Sequence, residues 1–269
     1  MLKIQKVEKL GGRILRCDEP SEELGISSYT LLRDLITKGD KEGALKLLDY
    51  VQHEFKWLHD LYSDWAYIDL DYVAKNYGEE EIPKFLRHVK SKLDLIAYKG
   101  YGQILPVDVL RMFAEGMRAH RCGPGEIGTH TIREEKDRYV MLFDPCGSGG
   151  RMRRTGQLDG IPPRTGEPFN MGVTQKAYPW SWGKKGVPYY CIHCSVWHEI
   201  MPIEKTGVPV KITDYNEDPQ APCAWYIYKD PEAIPEQFYT RIGFRKPRKR
   251  GEPAEKIGKY TGGFVRIHF

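Results

Sequence analysis

Residues 41–78 contain the pattern that most restricts how this chain folds. Their apolar side chains recur three or four positions apart, which places them on one side of a helix. Gly78 ends the pattern, and glycine is common directly after a helix. We therefore expect one long helix with an apolar stripe that packs in the core, formed by Leu45, Leu48, Val51, Phe55, Leu58 and Tyr62.

The whole chain predicts an α+β fold in three regions. Residues 1–20 contain two short apolar stretches separated by Gly11 and Gly12, which is typical of a strand pair. Residues 21–121 keep helical spacing, whereas residues 122–269 combine strand patterns with a Gly/Pro-rich loop. We expect an N-terminal helical region packed on a small antiparallel sheet domain with a Cys-rich site, followed by a basic C-terminal linker.

Short segments of the third region predict its strands. Residues 129–144 are typical of a hairpin, and residues 187–194 of a strand that enters a helix. Residues 208–215 and 222–229 predict two further strands, and residues 262–269 a last one. Because antiparallel pairs are joined by short turns, these segments favour an antiparallel sheet.

Composition and charge limit the class of protein. The chain has 269 residues and a net charge of +4, much of it from RKPRKR at residues 245–250. The basic residues are confined to this one segment, which we expect to be a solvated linker. Because the net charge of the chain is small, nucleic acid is not an expected partner. No apolar run is long enough to span a membrane, and the N-terminus lacks the features of a signal peptide. We expect a cytoplasmic protein.

The cysteines predict a metal site. Six cysteines at irregular spacing do not match a secreted disulfide framework, and clustered cysteines in a reducing compartment indicate metal binding or catalysis. Cys191 and Cys194 form a C-x-x-C pair that can supply two ligands to zinc or iron, and Cys223 with Cys146 or His198 can complete the set. A redox pair and two simply buried cysteines are the alternatives, although the flanking pattern is not the βαβ unit of thioredoxins.

The Gly-rich segment at residues 143–154 has two interpretations. Its successive Gly amides, with Arg151 and Arg153, suit a substrate carboxylate or phosphate. The alternative is a structural turn with solvated arginines. Cys146 within this segment is a candidate nucleophile or metal ligand. Aromatic side chains nearby predict the wall of a pocket for a planar or apolar organic ligand, formed by Trp180, Trp182 and Tyr190.

Polar side chains elsewhere supply candidates for a general base. These are His198, Glu199 and His130. On the long helix, Asp60 and Asp64 share one face, for which we expect solvation beside an aromatic core stripe.

Several of these segments together resemble a bacterial family close to the L-2-amino-thiazoline-4-carboxylate hydrolases and the vinyl-reductase-type small-molecule-binding domains. The resemblance covers roughly residues 130–230 and rests on HDLYSDW, DPCGSGGRMRR, VPYYCIHC, the Gly-Val-Pro turn in TGVPV and CAWYIY. It implies a helix-flanked antiparallel sheet around a pocket for a small organic molecule. It also implies zinc held at positions such as Cys191 or Cys194 and Cys223, with an acidic partner. The insertion at residues 146–188 departs from the sensor pattern of the family.

The leading hypothesis is a metal-dependent hydrolase or lyase that acts on a small organic acid. Zinc, or alternatively iron, would be held by Cys191, Cys194, Cys223 and Cys146. The alternatives are a small-molecule sensor or carrier with a structural metal, and a metal-free enzyme with Cys146 as nucleophile. The expected partner is a small molecule rather than a membrane, and an oligomer is compatible with the sequence.

Overall fold

The computed structural model of the protein describes residues 2–97, 105–120, 130–142, 146–154, 161–248 and 252–257. Within these ranges the fold is α+β, as the sequence predicts, with helices and two small antiparallel sheets.

The N-terminal strand pair is confirmed. β1 (Ile4–Val7) pairs antiparallel with β2 (Arg13–Arg16). The connection includes Gly11, whose φ of 71° lies in the left-handed region that a side chain disfavours. Glycine in this turn therefore lets the two strands meet.

Four helices follow in the chain, and the predicted long helix is among them. It begins where the Asp40 side chain accepts a hydrogen bond from the Gly43 backbone N–H at 2.9 Å, a typical N-cap. It ends at Gly78, whose φ of 101° stops helical propagation. The helices are α1 (Ser28–Thr37), α2 (Lys41–Tyr77), α3 (Ile82–Ala97) and α4 (Pro106–His120).

The C-terminal sheet has four antiparallel strands in the order β3-β4-β6-β5. The hairpin and the two following strands expected from the sequence are confirmed. The predicted strand at residues 262–269 lies outside the described residues. The strands are β3 (Thr131–Glu134), β4 (Arg138–Leu142), β5 (Ile212–Asp214) and β6 (Ala224–Tyr228).

The predicted strand at residues 187–194 is wrong. The chain forms a 3₁₀ turn at Tyr189–Cys191 and then enters a helix. The Pro188 carbonyl accepts from the Cys191 N–H at 2.9 Å, so local hydrogen bonds replace a strand ladder. The Tyr189 hydroxyl donates to Glu79 at 2.7 Å, beyond the end of α2. This tertiary contact outweighs the strand preference of the aromatic residues.

The remaining α-helices are short. Three helical segments follow one another directly from Ile192, within the C-x-x-C segment, to Thr206. A π-helical turn at Val196–Ile200 separates two α-helical stretches there. Such turns are rare and often lie at functional sites. The short helices are α5 (Gly149–Arg153), α6 (Ile192–Ser195), α7 (Met201–Thr206) and α8 (Gln237–Thr240).

Two apolar clusters stabilise the described part of the chain. The larger one includes the buried side chains of Trp180, Ile192 and Ile203. The smaller one lies between α4 and the sheet and includes Phe113 and Trp225. Partly buried Cys194 packs against both clusters.

The outward face of α2 contradicts the expectation from its sequence. Val51 is buried as expected, but Leu58 and Tyr62, also expected in the core, are 48% and 57% exposed, whereas Lys56 and Asp60 are buried. The predicted solvated face at Asp60 is therefore wrong as well. The cause is tertiary, because Asp60 Oδ1 lies 2.6 Å from Lys56 Nζ and 3.1 Å from Arg151 Nε. These partners hold the polar face of α2 against the rest of the protein.

Among the residues that the structure describes, no helix has both the length and the apolar character needed to cross a membrane.

Candidate functional site

His193 and Cys194 are neighbours in α6 whose side chains contact each other. Cys194 Sγ lies 3.6 Å from His193 Nε2. His193 Nδ1 lies 2.6 Å from the carbonyl oxygen of Tyr190, which can only accept a hydrogen bond. Nδ1 therefore carries a proton, and in the neutral ring Nε2 has the lone pair that can accept the thiol proton. The pair is a thiol beside its own base.

A buried lysine lies next to this pair. Lys211, which precedes β5, is 1% exposed and donates to Thr213 Oγ1 at 3.0 Å. Its Nζ lies 3.4 Å from the centroid of the Trp225 ring, within range of a cation–π contact. Burial lowers the pKa of Lys211, although negative charge on Cys194 acts in the opposite direction. In such a poorly solvated place a positive charge acts strongly on its neighbours.

These charges activate the Cys194 thiol. Burial by itself raises the pKa of Cys194, but the charges of Lys211 and His193 and the hydrogen bond with His193 outweigh it, and the pKa falls to about 7. Burial lowers the pKa of His193, whereas the charge of Cys194 and its hydrogen bond raise it, with a net increase. A large share of Cys194 is therefore thiolate at neutral pH, and the thiolate is the nucleophilic form.

Aromatic rings form the surroundings of the pair. Phe113 lies edge-on to His198 and to Trp225, with ring centroids 5.0 and 5.3 Å apart. His193, Cys194 and His198 each retain some accessible surface, although burial is the largest influence on the pKa of each. We refer to His193, Cys194, His198, Phe113 and Trp225 together as the thiol site.

Two of the predicted metal ligands, Cys191 and Cys223, differ from Cys194 in their ionisation. Burial raises the pKa of Cys191 well above its ordinary value, and charges on Cys223, Cys146 and Cys194 add to this although Arg153 opposes it. Burial, with the charge of Cys146, raises the pKa of Cys223 to about 11. Both thiols are therefore protonated at neutral pH.

Two glycines allow the Gly-rich segment to approach these cysteines. A Cβ at Gly149 would lie 2.7 Å from Cys191 Sγ, and one at Gly150 would lie 2.7 Å from Cys146 Cβ. Any side chain here would displace a cysteine. The ligand set nevertheless stays a prediction, since the described residues contain no group of three or more His, Cys, Asp or Glu side chains that could hold a metal ion.

The arginines of the Gly-rich segment bind groups of the protein itself. Arg151 lies 3.1 Å from Asp60 Oδ1 and 3.1 Å from Asp64 Oδ1. Arg153 donates to the Tyr215 hydroxyl at 3.0 Å. Their role in binding a substrate carboxylate stays a prediction.

The three aromatic residues predicted to line a pocket lie in different places. Tyr190 lies beside the thiol site, with its ring centroid 4.9 Å from that of His193. Its hydroxyl lies 2.8 Å from Ser148 Oγ. Trp180 and Trp182, in contrast, are 1% and 5% exposed and belong to the larger apolar cluster.

Glu199, a candidate general base, is a buried acceptor for three donors. Its Oε1 accepts from Trp182 Nε1 and from the Thr213 N–H, each at 2.9 Å. Its Oε2 accepts from Arg241 Nη2, also at 2.9 Å. The carboxylate is completely inaccessible to solvent, and these contacts join the π-helical turn to β5.

The histidine candidates also separate. Burial, with the positive charges of Lys211 and His193, lowers the pKa of His198 well below its ordinary value, so this ring is neutral at physiological pH. His198 is therefore an uncharged member of the thiol site. His130 is half-buried directly before β3. A role for either residue as general base stays a prediction.

From the sequence, His193 is only a local alternative to His198 as a metal ligand, and nothing in the expected site involves Lys211. A signal for Lys211 exists, because this lysine interrupts the apolar strand pattern of residues 208–215. Lysine is rarely buried without a specific partner, so such a position is a candidate for function. His193 lies inside the C-x-x-C segment, but only the turn of the helix shows that its ring contacts Cys194.

A groove lies between α2 and α4. This groove has a volume of about 340 Å³ and includes His59 and His120. His59 Nδ1 lies 2.9 Å from Asp60 Oδ1, and His59 Nε2 contacts His120 Nδ1. Burial and the charge of His59 lower the pKa of His120 to about 3. Tyr190 lines this groove and also contacts the ring of His193 in the thiol site.

Comparisons of the chain with family models, with curated proteins and with solved structures found no match. The family resemblance therefore stays an interpretation of the sequence, and geometry carries the functional conclusion.

Proposed function

We propose that this protein is an enzyme that uses the Cys194 thiolate as a nucleophile on a small, planar organic molecule. The observation that carries the proposal is the 3.6 Å contact between Cys194 Sγ and His193 Nε2 beside buried Lys211. A thiol within reach of a base that a third group orients is the usual arrangement for covalent catalysis. The Tyr190 carbonyl is that third group.

The chemistry follows from the protonation states. Cys194 gives its proton to His193 Nε2 and attacks an electrophilic carbonyl or imine carbon, forming a C–S bond. The imidazolium then donates this proton to the leaving nitrogen, oxygen or sulfur as its bond to carbon breaks. Water hydrolyses the covalent intermediate and regenerates the thiol. This scheme supports hydrolysis or C–N or C–S cleavage.

The aromatic residues of the thiol site indicate the kind of substrate. Phe113 and Trp225 offer ring faces and edges to a flat molecule. Lys211 supplies positive charge, so a substrate with a carboxylate or with developing negative charge is favoured there.

Alkylation tests the assignment of Cys194. Native protein is treated with iodoacetamide between about pH 5 and pH 10, and labelling of each cysteine is followed by peptide mass spectrometry. Because the thiolate reacts, the Cys194 rate should be low in acid and rise with a midpoint near its pKa of about 7. Cys223, with a pKa of about 11, should stay slow over the same range.

Cys223 is an internal control in every sample, because both thiols meet the same reagent. An N-benzyl iodoacetamide should label Cys194 faster than iodoacetamide does, since its ring can pack against Phe113 and Trp225. If Cys194 is not labelled before the protein unfolds, or if its midpoint equals that of an ordinary cysteine, the proposal is wrong.

A metal site is the second candidate function. It is favoured by the approach of two neighbouring glycines to two of the cysteines, since a Cβ at Gly149 would lie 2.7 Å from Cys191 Sγ and one at Gly150 would lie 2.7 Å from Cys146 Cβ, and the charges of Cys146, Cys194 and Cys223 all raise the pKa of Cys191. A zinc or iron ion would remove this repulsion.

Elemental analysis of protein purified without added metal tests the metal site. A resident metal predicts about one ion per chain, lost in a Cys191→Ser variant, and Cys194 alkylation that increases after chelation. A content below about 0.2 ions per chain that Cys191→Ser does not change would exclude a resident metal and leave the metal-free reaction.

A further inference from the structure

The outer face of α2 exposes large apolar side chains along most of its length. They are 38% to 58% exposed, although Asp60 and Lys56 on the opposite face are buried. α2 also buries Tyr67 and Leu70 in the core, so it carries more apolar surface than packing on its own chain covers. The exposed residues are Leu48, Phe55, Leu58, Tyr62, Trp65 and Tyr72.

The spacing of these residues is that of a helix–helix interface. Leu48, Phe55 and Tyr62 recur every seven positions, and Leu58, Trp65 and Tyr72 form a second series with the same period. Phe55, Leu58, Tyr62 and Trp65 alternate three and four positions apart, which is the a and d pattern of a coiled-coil seam, although Val51 at the preceding d position is buried and the following a position is Asp69. The face is therefore suited to another helix of the same type.

The area also exceeds what a solitary protein usually exposes. At about 200 Å² for each fully exposed side chain, the six residues present roughly 600 Å². Leu61 and Ile68, which flank them on α2, raise the total to roughly 800 Å². Apolar patches on monomers rarely exceed a few hundred Å². About 800 Å² per partner is the size of a standard specific interface.

We propose that a second copy of this chain covers this face through an antiparallel pairing of the two α2 helices about a twofold axis. In one register Phe55 meets Trp65 of the second copy, Tyr62 meets its Leu58, and Leu48 meets its Tyr72. Each apolar a position then faces an apolar d position, as antiparallel coiled coils require, whereas Asp69 lies opposite Val51, which is buried in its own chain. Such a contact is closed and self-complementary, so it ends at a dimer.

Charges on α2 favour the antiparallel over the parallel direction. Asp69, which is exposed, continues the series of Leu48, Phe55 and Tyr62. Parallel helices would set this carboxylate against the same carboxylate of the second copy, with repulsion. In the antiparallel register exposed Lys41 instead lies near exposed Glu80 of the second copy. This pairing is attractive.

Dimerisation has a consequence for the groove between α2 and α4. Phe55, Leu58 and Tyr62 line this groove of about 340 Å³ as well as the seam. The second copy covers its mouth and separates His59 and His120 from bulk water. The dimer can fail without affecting the thiol chemistry, because Cys194 is not part of the seam.

Sedimentation velocity over a range of micromolar concentrations tests the dimer. The wild-type protein should have twice the mass of one chain. A Leu58→Glu, Trp65→Glu double variant should have the mass of one chain, with the dimer weakened at least a hundredfold. Circular dichroism of the variant should match the wild type, since both side chains are exposed in a single chain.

The control is Leu10→Glu with Leu105→Glu, at positions outside α2 that are 55% and 62% exposed. This variant should remain a dimer. A single-chain mass for the wild type over the whole range would overturn the proposal, as would binding of the wild type to lipid vesicles that Leu58→Glu, Trp65→Glu abolishes without a change in mass.

Cross-linking tests the direction of the helices. The double variant Leu48→Cys, Tyr72→Cys should form a covalent dimer on mild oxidation, whereas Leu48→Cys alone should not. Efficient cross-linking by Leu48→Cys alone would indicate parallel helices and overturn the antiparallel pairing.

Discussion

Replacing Glu199 by alanine should destabilise the protein by about 3–5 kcal/mol, the usual cost of breaking a buried and hydrogen-bonded charge pair. The carboxylate is completely inaccessible and accepts from Trp182, Thr213 and Arg241. Its loss leaves the indole N–H and the backbone N–H of Thr213 buried without this acceptor. Urea denaturation followed by fluorescence measures the change in the free energy of unfolding.

Two variants separate this effect from the general cost of removing a carboxylate. Glu199→Gln keeps the volume and one acceptor oxygen, so it should lose clearly less stability than Glu199→Ala. Glu255→Ala removes an exposed carboxylate that is paired with Arg245, and should change stability little. A loss below about 1 kcal/mol for Glu199→Ala would mean that the three donors find other acceptors.

Replacing Lys211 by methionine should slow the alkylation of Cys194 at pH 7 by about tenfold or more. Lys211 is the largest influence that lowers the pKa of Cys194, so its removal raises that pKa from about 7 toward the ordinary value. Above its pKa the thiol reacts as thiolate, and the midpoint of the pH profile should therefore move to higher pH. At high pH the two proteins should react at similar rates.

Methionine keeps the length and apolar stem of Lys211, so the variant should fold. Lys205→Met is the control, because Lys205 is exposed and does not act on the Cys194 pKa. An unchanged midpoint in folded Lys211→Met would show that His193 alone activates the thiol. A midpoint shift that Lys205→Met reproduces would indicate a general charge effect rather than the buried contact.

The orientation of α2 illustrates where sequence patterns mislead. The apolar stripe was correctly identified as one face of a helix, because helical spacing is a local property. Its burial was predicted on the assumption that a chain packs its apolar side on its own core. Instead Asp60 accepts from Lys56 and pairs with Arg151, and these polar side chains are buried together with Tyr67 and Leu70. That choice depends on an arginine far along the chain.

The thiol site shows the same division. C-x-x-C spacing singled out Cys191 and Cys194 as chemically informative, and the structure gives the two thiols opposite ionisation. Burial raises the pKa of Cys191, whereas Lys211 and His193 lower that of Cys194. Spacing alone carries no information about such charges, because Lys211 reaches Cys194 only through the packing of β5 against α6.

Local patterns were therefore sufficient for the α+β class, for the extent of α2 and for four of the predicted strand segments, since helix caps, turns and periodicity act between residues close in sequence. The strand expected at residues 187–194 became a 3₁₀ turn, because Tyr189 donates to Glu79 across the fold. Which face of α2 is buried and which cysteine ionises were decided by tertiary structure alone. Burial and charge act through space, and the partners that set them are distant in the sequence.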